Sequence, residues 1–287
     1  MFLIIDSGST KSDWFLIQEN GDFVDSYKTI GFNPFFHSTA FIKSEIAKNK
    51  SLLGIADKVS HIYYYGAGCS TPDYQNIVKN ALDALFPVSQ NKVDHDMKAA
   101  LYATFDEEAC ITCILGTGSN ACHFDGTKIT DSISGLGYIL GDEGSGSFFG
   151  KKLLSNFLYG NLNEEITRQM RDEMGLNKEV VFRNVYNEPN ANVYLAGYTR
   201  YLHTIKDDPF IKKILDDGMK EFMQVHVCRY PDYKTIKTHF IGSIAFYFQE
   251  NIKSAAAELD VPLGKIIKSP IQNLVAYHVK HIIKVHG

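Results

Sequence analysis

The sequence lacks a long apolar run, a surplus of basic residues and any segment ahead of its first predicted strand. No run approaches the ~18 consecutive apolar residues of a membrane-spanning helix. The formal net charge is −4 over 287 residues, which leaves no basic footprint for nucleic acid. Because residue 2 already opens a predicted strand, no room remains for a signal peptide. We therefore expect a cytoplasmic protein whose partners include neither nucleic acid nor a membrane.

Cysteine is scarce and odd in number, with five residues. Cys110 and Cys113 form a C-x-x-C pair, a spacing typical of zinc or redox sites. In an extended strand, however, positions i and i+3 project from opposite faces. Cys122 lies on the next predicted strand, and no second pair supplies four metal ligands. We expect buried, reduced thiols.

The length and composition suit a globular protein of two domains, with 45% hydrophobic and 22% charged residues. Three antiparallel strands open the chain, and helices then alternate with strands, which predicts an α/β fold with a mixed sheet covered on both faces. The predicted helices are 39–49, a helix from about 71, 97–104, 162–174, 178–186, 191–205, 209–228, one from about 243 to 259, and a terminal helix through His286.

The opening segment, residues 2–16, carries the first chemical signal. A predicted strand (Phe2 to Ile5) leads into Asp6, a turn of small residues and Lys11. This turn offers a carboxylate, hydroxyls, backbone N–H groups and an ammonium, which suit a nucleotide phosphate and its magnesium. An ordinary hairpin, in which Asp and Ser satisfy turn hydrogen bonds, is the alternative. The candidate phosphate-binding residues are Gly8, Ser9, Thr10 and Lys11.

A second segment, residues 110–124, repeats this plan. A predicted strand leads into a small turn, and each second strand ends at a hairpin signal, Asn20-Gly21 or Asp125-Gly126. The chain is therefore predicted to contain two related β-meanders, and two such turns could hold one polyphosphate. Two unrelated hairpins are the alternative. The second set of candidate phosphate-binding residues is Gly116, Thr117, Gly118 and Ser119.

Asp96 is the candidate catalytic base. It lies at the end of a short predicted strand, just before a helix, where a carboxylate is held firmly and faces a cleft. There it could accept the proton of an alcohol that attacks a γ-phosphate. Asp94, two residues earlier, is an alternative base, and either Asp could instead cap the helix that starts at Met97.

Further polar residues lie at the ends of predicted elements. Asp142 and Glu143 lie between two glycines before a predicted helix, where they could face a ligand or cap that helix. Asn33, the turn Gly66 to Ser70 and Asn120 offer neutral groups that suit sugar hydroxyls, although each could be an ordinary turn residue.

Two features nearer the C-terminus are weaker signals. Gly242 and Ser243 mark a strand-to-helix turn that could lie beneath an adenine ring, or be only a junction. His278 and His281, spaced i, i+3, could bind a metal, but without a carboxylate or Cys partner a solvated helix face is favoured.

These motifs together resemble the actin/sugar-kinase/heat-shock-chaperone ATPase superfamily, and most closely its N-acetylglucosamine kinase and BadF/BadG/BcrA/BcrD-type branch. The resemblance covers nearly the whole chain. The GTGSN and GDEGS motifs are fairly specific, whereas the first motif occurs across the superfamily. The matching segments are Asp6–Ser12, Gly116–Asn120, Gly135–Tyr138 with Gly141–Ser145, and Phe240–Ser243.

The resemblance implies two ribonuclease H-like, actin-like ATPase domains with ATP and sugar in an interdomain cleft. The first would span 1–106, with the terminal helix 271–287 packed back on it. The second would span 107–270 and carry a helical insertion. Two departures are Ser7 and Ser9 where glycine is common, and Gln272-Asn273 where an acidic residue and a glycine are usual.

The implied activity is an ATP-dependent sugar kinase that phosphorylates the 6-hydroxyl of N-acetylglucosamine or a close amino sugar. Asp96 would be the base, and Asp6 would hold Mg²⁺, through water. Gly242 and Ser243 would bind adenosine. The implied sugar-binding residues are Asn33, Gly68, Cys69, Ser70, Asn120, Gly135 and Asp142.

Three questions stay open at this point. The chain could instead be a BadF-type ATPase that couples hydrolysis to electron transfer, or a sugar or nucleotide sensor without phosphorylation. The sugar could be N-acetylglucosamine, glucosamine, N-acetylmuramic acid or glucose. A homodimer is possible, although no residue pattern indicates one.

Overall fold

The computed structural model describes residues 1–133 and 135–283. The chain divides into two compact units. The first comprises Met1–Glu107 and the segment from Ser269 onward, and the second comprises Glu108–Lys268.

Five strands form the sheet of the first unit: β1 (Phe2–Ser7), β2 (Lys11–Ile17), β3 (Phe23–Ile30), β4 (His61–Gly66) and β5 (Gln90–His95). Their order is β3-β2-β1-β4-β5. β1 pairs antiparallel with β2 and parallel with β4, and β4 pairs parallel with β5. The carboxyl ends of β1, β4 and β5 therefore lie along one edge of the sheet.

Helices cover this sheet because successive residues of β1 point to opposite faces. Leu3 and Ile5 pack with Val78 on one face, whereas Ile4 packs with Ala99 on the other. Both faces are thus buried, as the α/β prediction requires. The helices are α1 (Thr39–Ala47), α2 (Lys50–Leu53), a 3₁₀ turn (Ala56–Lys58), α3 (Pro72–Leu85) and α4 (Asp96–Thr104).

The second unit repeats the architecture. Its strands are β6 (Cys110–Leu115), β7 (Ser119–Phe124), β8 (Ile129–Ile133), β9 (Lys237–Ile241) and β10 (Leu263–Ile267). Their order is β8-β7-β6-β9-β10, with β6 antiparallel to β7 and parallel to β9. Order and direction match those of the first sheet, which confirms the predicted pair of β-meanders.

The second unit is mostly helical outside its sheet. Phe149, Leu215, Phe222 and Phe240 belong to one large buried cluster that joins these helices to the sheet. The helices are α5 (Gly137–Leu140), α6 (Gly146–Tyr159), α7 (Glu164–Arg168), α8 (Lys178–Phe182), α9 (Ala191–Gly197), α10 (Thr199–Thr204), α11 (Pro209–His226), α12 (Ser243–Tyr247) and α13 (Gln249–Glu258), with π-helical segments at Gln169–Glu173 and Arg183–Asn187.

The C-terminal segment lies in the first unit. Helix α14 (Ile271–His278) continues as a π-helical segment (Val279–Ile283) and packs against α4 and β1. The rest of the predicted terminal helix, 284–287, lies outside the described residues. The prediction that His278 lies on a solvated helix face is wrong. His278 is fully buried, and its Nε2 is hydrogen-bonded to the hydroxyl of Tyr65 at 2.9 Å.

The cysteines are free thiols, and four of them are buried: Cys69, Cys110, Cys113 and Cys122. Cys228 is only partly buried. Within residues 1–133 and 135–283, no helix combines the length and apolarity needed to cross a bilayer.

Candidate active site

The turn between β1 and β2 is closed by a hydrogen bond and packs against Gly31. The N–H of Gly8 donates to the carbonyl of Lys11 at 3.0 Å. Gly31 lies against this turn so closely that a Cβ atom on it would be 2.0 Å from the Gly8 carbonyl oxygen and 2.6 Å from Thr10 N. Only glycine at 31 therefore lets the turn occupy this position.

Asp6 and Asp13 lie directly opposite each other on β1 and β2. Lys11, expected to face a phosphate, places its Nζ 2.5 Å from a carboxylate oxygen of Asp13 while most of its side chain stays exposed. A phosphate at this turn would therefore share Lys11 with Asp13. Sequence reasoning missed Asp13, although the register of the predicted hairpin was a usable signal.

Asp6 occupies an unfavourable position for a negative charge. Burial raises its pKa from 3.8 to about 7, and repulsion from Asp96 and then Asp13 adds to the increase, against a smaller opposing effect of Lys11. Neighbouring atoms crowd the carboxylate, yet the residue retains some solvent-accessible surface. The repulsion also shows that Asp6 and Asp96 share one electrostatic environment, at the edge where β1 and β5 end.

Replacing Asp6 with Asn should stabilise the empty protein at neutral pH. A carboxyl group with a raised pKa in the folded state loses its proton first in the unfolded chain, so stability falls as pH rises from about 4 to 7. Since Asp6 is partly accessible, we expect a gain of about 2 kcal/mol for Asp6→Asn at pH 8 and almost none at pH 4.

Urea unfolding of the wild type and Asp6→Asn at both pH values measures this difference. Asp57→Asn is the control, because Asp57 is exposed and its loss should leave stability unchanged. An Asp6→Asn variant that is less stable than the wild type at pH 8 would show that the charge of Asp6 is compensated in the empty protein.

Asp96 is the first residue of α4, directly after β5. The helix is capped by His95, whose Nδ1 accepts from Met97 N, so neither Asp supplies the cap. Asp94 forms an ion pair with Lys98 at 2.5 Å, which makes it a poorer base than Asp96. The Oδ1 atom of Asp96 is closed to solvent and lacks a geometrically satisfactory hydrogen bond, although His95 Nδ1 lies 2.9 Å away.

The candidate sugar-binding residues of the first unit fall near this edge. Gly68 has φ +78°, and a Cβ atom on it would be 2.3 Å from Asn33 Oδ1, so the two residues are in close contact. Cys69 is buried, and its pKa is raised to about 12 by burial and then by repulsion from Asp96. Ser70 is exposed. Asn33 and Gly68 are thus in contact, and the charge of Asp96 acts on the neighbouring Cys69.

In the second unit, the Gly116–Ser119 turn is hydrogen-bonded to the start of α6. Gly146 N donates to the carbonyl of Gly116 at 2.8 Å, and Ser147 N donates to that of Thr117 at 3.0 Å. The N–H of Gly116 donates back to Gly118 at 2.9 Å. These two bonds use the N–H groups of Gly146 and Ser147, so the start of α6 holds the turn in place.

Asp142 lies against the same turn. Its backbone has φ +59°, and its Oδ2 would be 2.9 Å from a Cβ atom on Gly118. Gly135 is also close, since a Cβ on it would be 3.2 Å from the Ser119 carbonyl oxygen. Burial raises the pKa of Asp142 to about 6, although the backbone N–H of Ser119 opposes the increase. Asp142, Gly118, Ser119 and Gly135 thus form one cluster.

Glu143 has a different role from Asp142. Its carboxylate is 2.9 Å from Nε2 of His226, a residue of α11 that is almost fully buried. Ser145 caps α6 by accepting from Phe148 N, so neither acid is the cap. Through this contact, Glu143 holds the loop that contains Asp142 against α11. His226 was missed by sequence reasoning, because no local pattern connects it with Glu143.

The remaining predicted residues of the second unit lie on two separate elements. Asn120 is on β7, and its side-chain oxygen accepts from Ala121 N at 2.9 Å. Gly242 has φ +120°, and a Cβ atom on it would be 2.2 Å from the Leu115 carbonyl oxygen, so the adenosine motif lies against the start of the Gly116 turn. Ser243 begins α12 and is exposed.

The acidic residues of the first unit fit a hydrated magnesium ion better than a directly coordinated one. Across the described part of the chain, no group of three or more His, Cys, Asp or Glu side chains could hold a metal. Asp6 nevertheless has a raised pKa near a second carboxylate, and a cation would relieve that repulsion. Mg²⁺ keeps several of its waters and binds through one or two carboxylates plus phosphates.

Comparison with solved structures finds a similar fold over the full chain. The "putative N-acetylglucosamine kinase" of Porphyromonas gingivalis superposes with a TM-score of 0.91 at 35% sequence identity, over 98% of this chain and 99% of that one. A protein of the same description from Chromobacterium violaceum gives a TM-score of 0.69 at 15% identity, over 96% and 98% of the two chains.

A more distant structure shares the fold alone. The ROK family glucokinase of Streptomyces griseus, in complex with glucose and AMPPNP, gives a TM-score of 0.56 at 13% identity, over 96% of this chain and 97% of that one. No family model matches the sequence, and neither does any curated protein.

Proposed function

Because this chain belongs to the sugar-kinase branch of the actin-like ATPases, we propose that it transfers the γ-phosphate of ATP to the 6-hydroxyl of N-acetylglucosamine or a close amino sugar. The two ribonuclease H-like domains of this proposal are 1–106 with the terminal helix, and 107–270. ATP is a cytoplasmic phosphoryl donor, so the cytoplasm is the compartment we assign. A homodimer stays a prediction.

The observation that carries the proposal is the pairing of Asp96 with Asp6 at one sheet edge. Asp96 follows β5 directly, Asp6 lies in β1, and the charge of the first raises the pKa of the second. Ligands of α/β proteins bind outside the carboxyl ends of parallel strands. Two carboxylates at that edge supply the separate needs of phosphoryl transfer, a base for the alcohol and a partner for the metal.

Asp96 would accept the proton of the sugar 6-hydroxyl. At the same time, the hydroxyl oxygen would form a bond to the γ-phosphorus and ADP would leave. Asn33, in contact with Gly68, would orient the sugar through hydrogen bonds, and Cys69 and Ser70 would border its 2-substituent. Mg²⁺, held by Asp6 through water, would neutralise phosphate charge. Lys11 would interact with the phosphates beside the Gly8–Thr10 turn.

In the second unit, the Gly116–Ser119 turn would bind phosphate oxygens. The start of α6 supports this role indirectly, because its N–H groups bind two carbonyl groups of the turn and hold the turn in place. Gly242 and Ser243 would border the adenosine, and the contact of Gly242 with Leu115 places them beside that turn. Asp142, Asn120 and Gly135 would contact the sugar.

An ATPase that couples hydrolysis to electron transfer through a shared cluster is the weaker alternative, since four of the five cysteines are buried. A sensor is the other alternative. Coupled measurement of ADP release with N-acetylglucosamine, glucosamine, N-acetylmuramic acid and glucose tests all three. We expect N-acetylglucosamine or another amino sugar to give the highest kcat/KM. Ligand binding without ATP consumption for every sugar would establish the sensor instead.

A further inference from the structure

One ring nitrogen of His95 lies close to two possible hydrogen-bond partners, and the charge state of the ring decides which of them it binds. Its Nδ1 atom is 2.9 Å from Asp96 Oδ1 and 3.2 Å from the backbone nitrogen of Met97. Both neighbours are within hydrogen-bonding distance of one ring nitrogen. Met97 N is a donor, whereas an ionised Asp96 oxygen is an acceptor.

One nitrogen cannot serve both neighbours at the same time. Without a proton, Nδ1 accepts from Met97 N and caps α4, and Asp96 Oδ1 then faces the nitrogen lone pair with no donor. With a proton, Nδ1 donates to Asp96 Oδ1, and the cap on α4 is lost. The oxygen of Asp96 that is closed to solvent and unsatisfied is the one that faces this nitrogen.

We infer that His95 is a positioning residue for Asp96. Charged, it binds the carboxylate and weakens it as a base. Neutral with its proton on Nε2, it caps α4 and leaves Asp96 free to accept a proton. The inference rests on the proposed function for its catalytic meaning. The geometry of the pair does not depend on that function.

The surrounding charges favour the charged state near neutral pH. Burial alone would lower the pKa of His95, but attraction to Asp96, a hydrogen bond to it and attraction to Asp94 raise the pKa overall above 6.5. Lys98 is occupied by Asp94. Other titratable groups near Asp96 are Asp6 from β1, Tyr64 from β4 and Cys69 from the segment after β4. At saturating ATP and Mg²⁺, where the bound cation keeps Asp6 ionised, kcat should therefore fall on the acidic side at a pH set by His95.

The test is the pH profile of kcat at saturating ATP, Mg²⁺ and sugar for the wild type and His95→Asn. Asn retains an oxygen that can cap α4 but cannot take up a proton. We expect the acidic limb of His95→Asn to move down by about one pH unit or more, with kcat near the wild-type value at pH 9. A purely structural role for His95 would lower kcat at every pH and leave the limb in place, and that result would overturn the inference.

A second measurement separates this inference from the proposed function. The titration of the His95 ring, assigned by its absence in His95→Asn, is followed by NMR in the wild type and in Asp96→Asn without substrate. We expect the pKa of His95 to drop in Asp96→Asn, even if no sugar is phosphorylated. An unchanged His95 titration in that variant would show that the pair does not form. His281→Asn, a change in the π-helical segment Val279–Ile283, is the matched control for both measurements and should alter neither.

Discussion

Replacement of Asp96 by Asn is expected to lower kcat by about 10²- to 10⁴-fold, which is the range that a positioned general base contributes. Asn preserves the size of the side chain at the start of α4 but cannot accept the hydroxyl proton. The sugar should still bind, because the residues proposed to hold it, Asn33 and Gly68, are unchanged. A coupled assay of ADP release gives kcat, and isothermal titration calorimetry with sugar in the presence of AMPPNP gives the Kd for sugar.

Asp94→Asn is the matched control for Asp96→Asn. It removes a carboxylate two residues away that is engaged by Lys98, so at pH 8.5 we expect turnover within a few-fold of the wild type. This control also tests Asp94 as the alternative base. A large loss in Asp94→Asn with little change in Asp96→Asn would exchange the two assignments.

Gly31→Ala should weaken nucleotide binding strongly, although it replaces none of the proposed ligand-binding residues. Its methyl group would meet the Gly8 carbonyl oxygen at 2.0 Å and Ser9 C at 2.6 Å, and both are backbone atoms that cannot rotate away. The turn must therefore shift. Overpacking of this kind costs about 1–3 kcal/mol, and if the strain is relieved by displacing the turn, the Kd for ATP should rise by about 5- to 100-fold.

Gly197→Ala is the control for Gly31→Ala. Gly197 ends α9, and a Cβ atom there would meet nothing within 4 Å. We expect this variant to bind ATP like the wild type. Fluorescence titration with a nucleotide analogue measures the affinity, and urea unfolding shows whether each variant is folded. Wild-type affinity in a folded Gly31→Ala would exclude the β1–β2 turn from the nucleotide site.

The fold was largely predictable because its signals are local. The hairpin signal Asn20-Gly21 precedes the observed strand Phe23–Ile30, and the helix predicted from about residue 71 is α3, where Thr71 supplies the cap and Pro72 opens the helix. The hairpin dipeptides bounded the repeated meanders. Side-chain periodicity and turn chemistry carry this information without any distant contact.

Predictions failed or stopped where a side chain depends on distant residues. His278 was expected to face solvent, but Tyr65, from a strand far earlier in the chain, encloses it. The role of Glu143 was open until its contact with His226 was visible. A helix position shows only which face a residue occupies, not which element will cover that face.

The sequence by itself determined the two β-meanders, their small-residue turns and the acidic residues next to them, because each follows from the order of a few neighbouring residues. Only the tertiary structure decided that Asp6 carries a raised pKa, that Gly31 supports the first turn and that Glu143 pairs with His226 of α11. Those properties depend on the distances between atoms of separate elements, and burial and charge act through distance in space and not through separation along the chain.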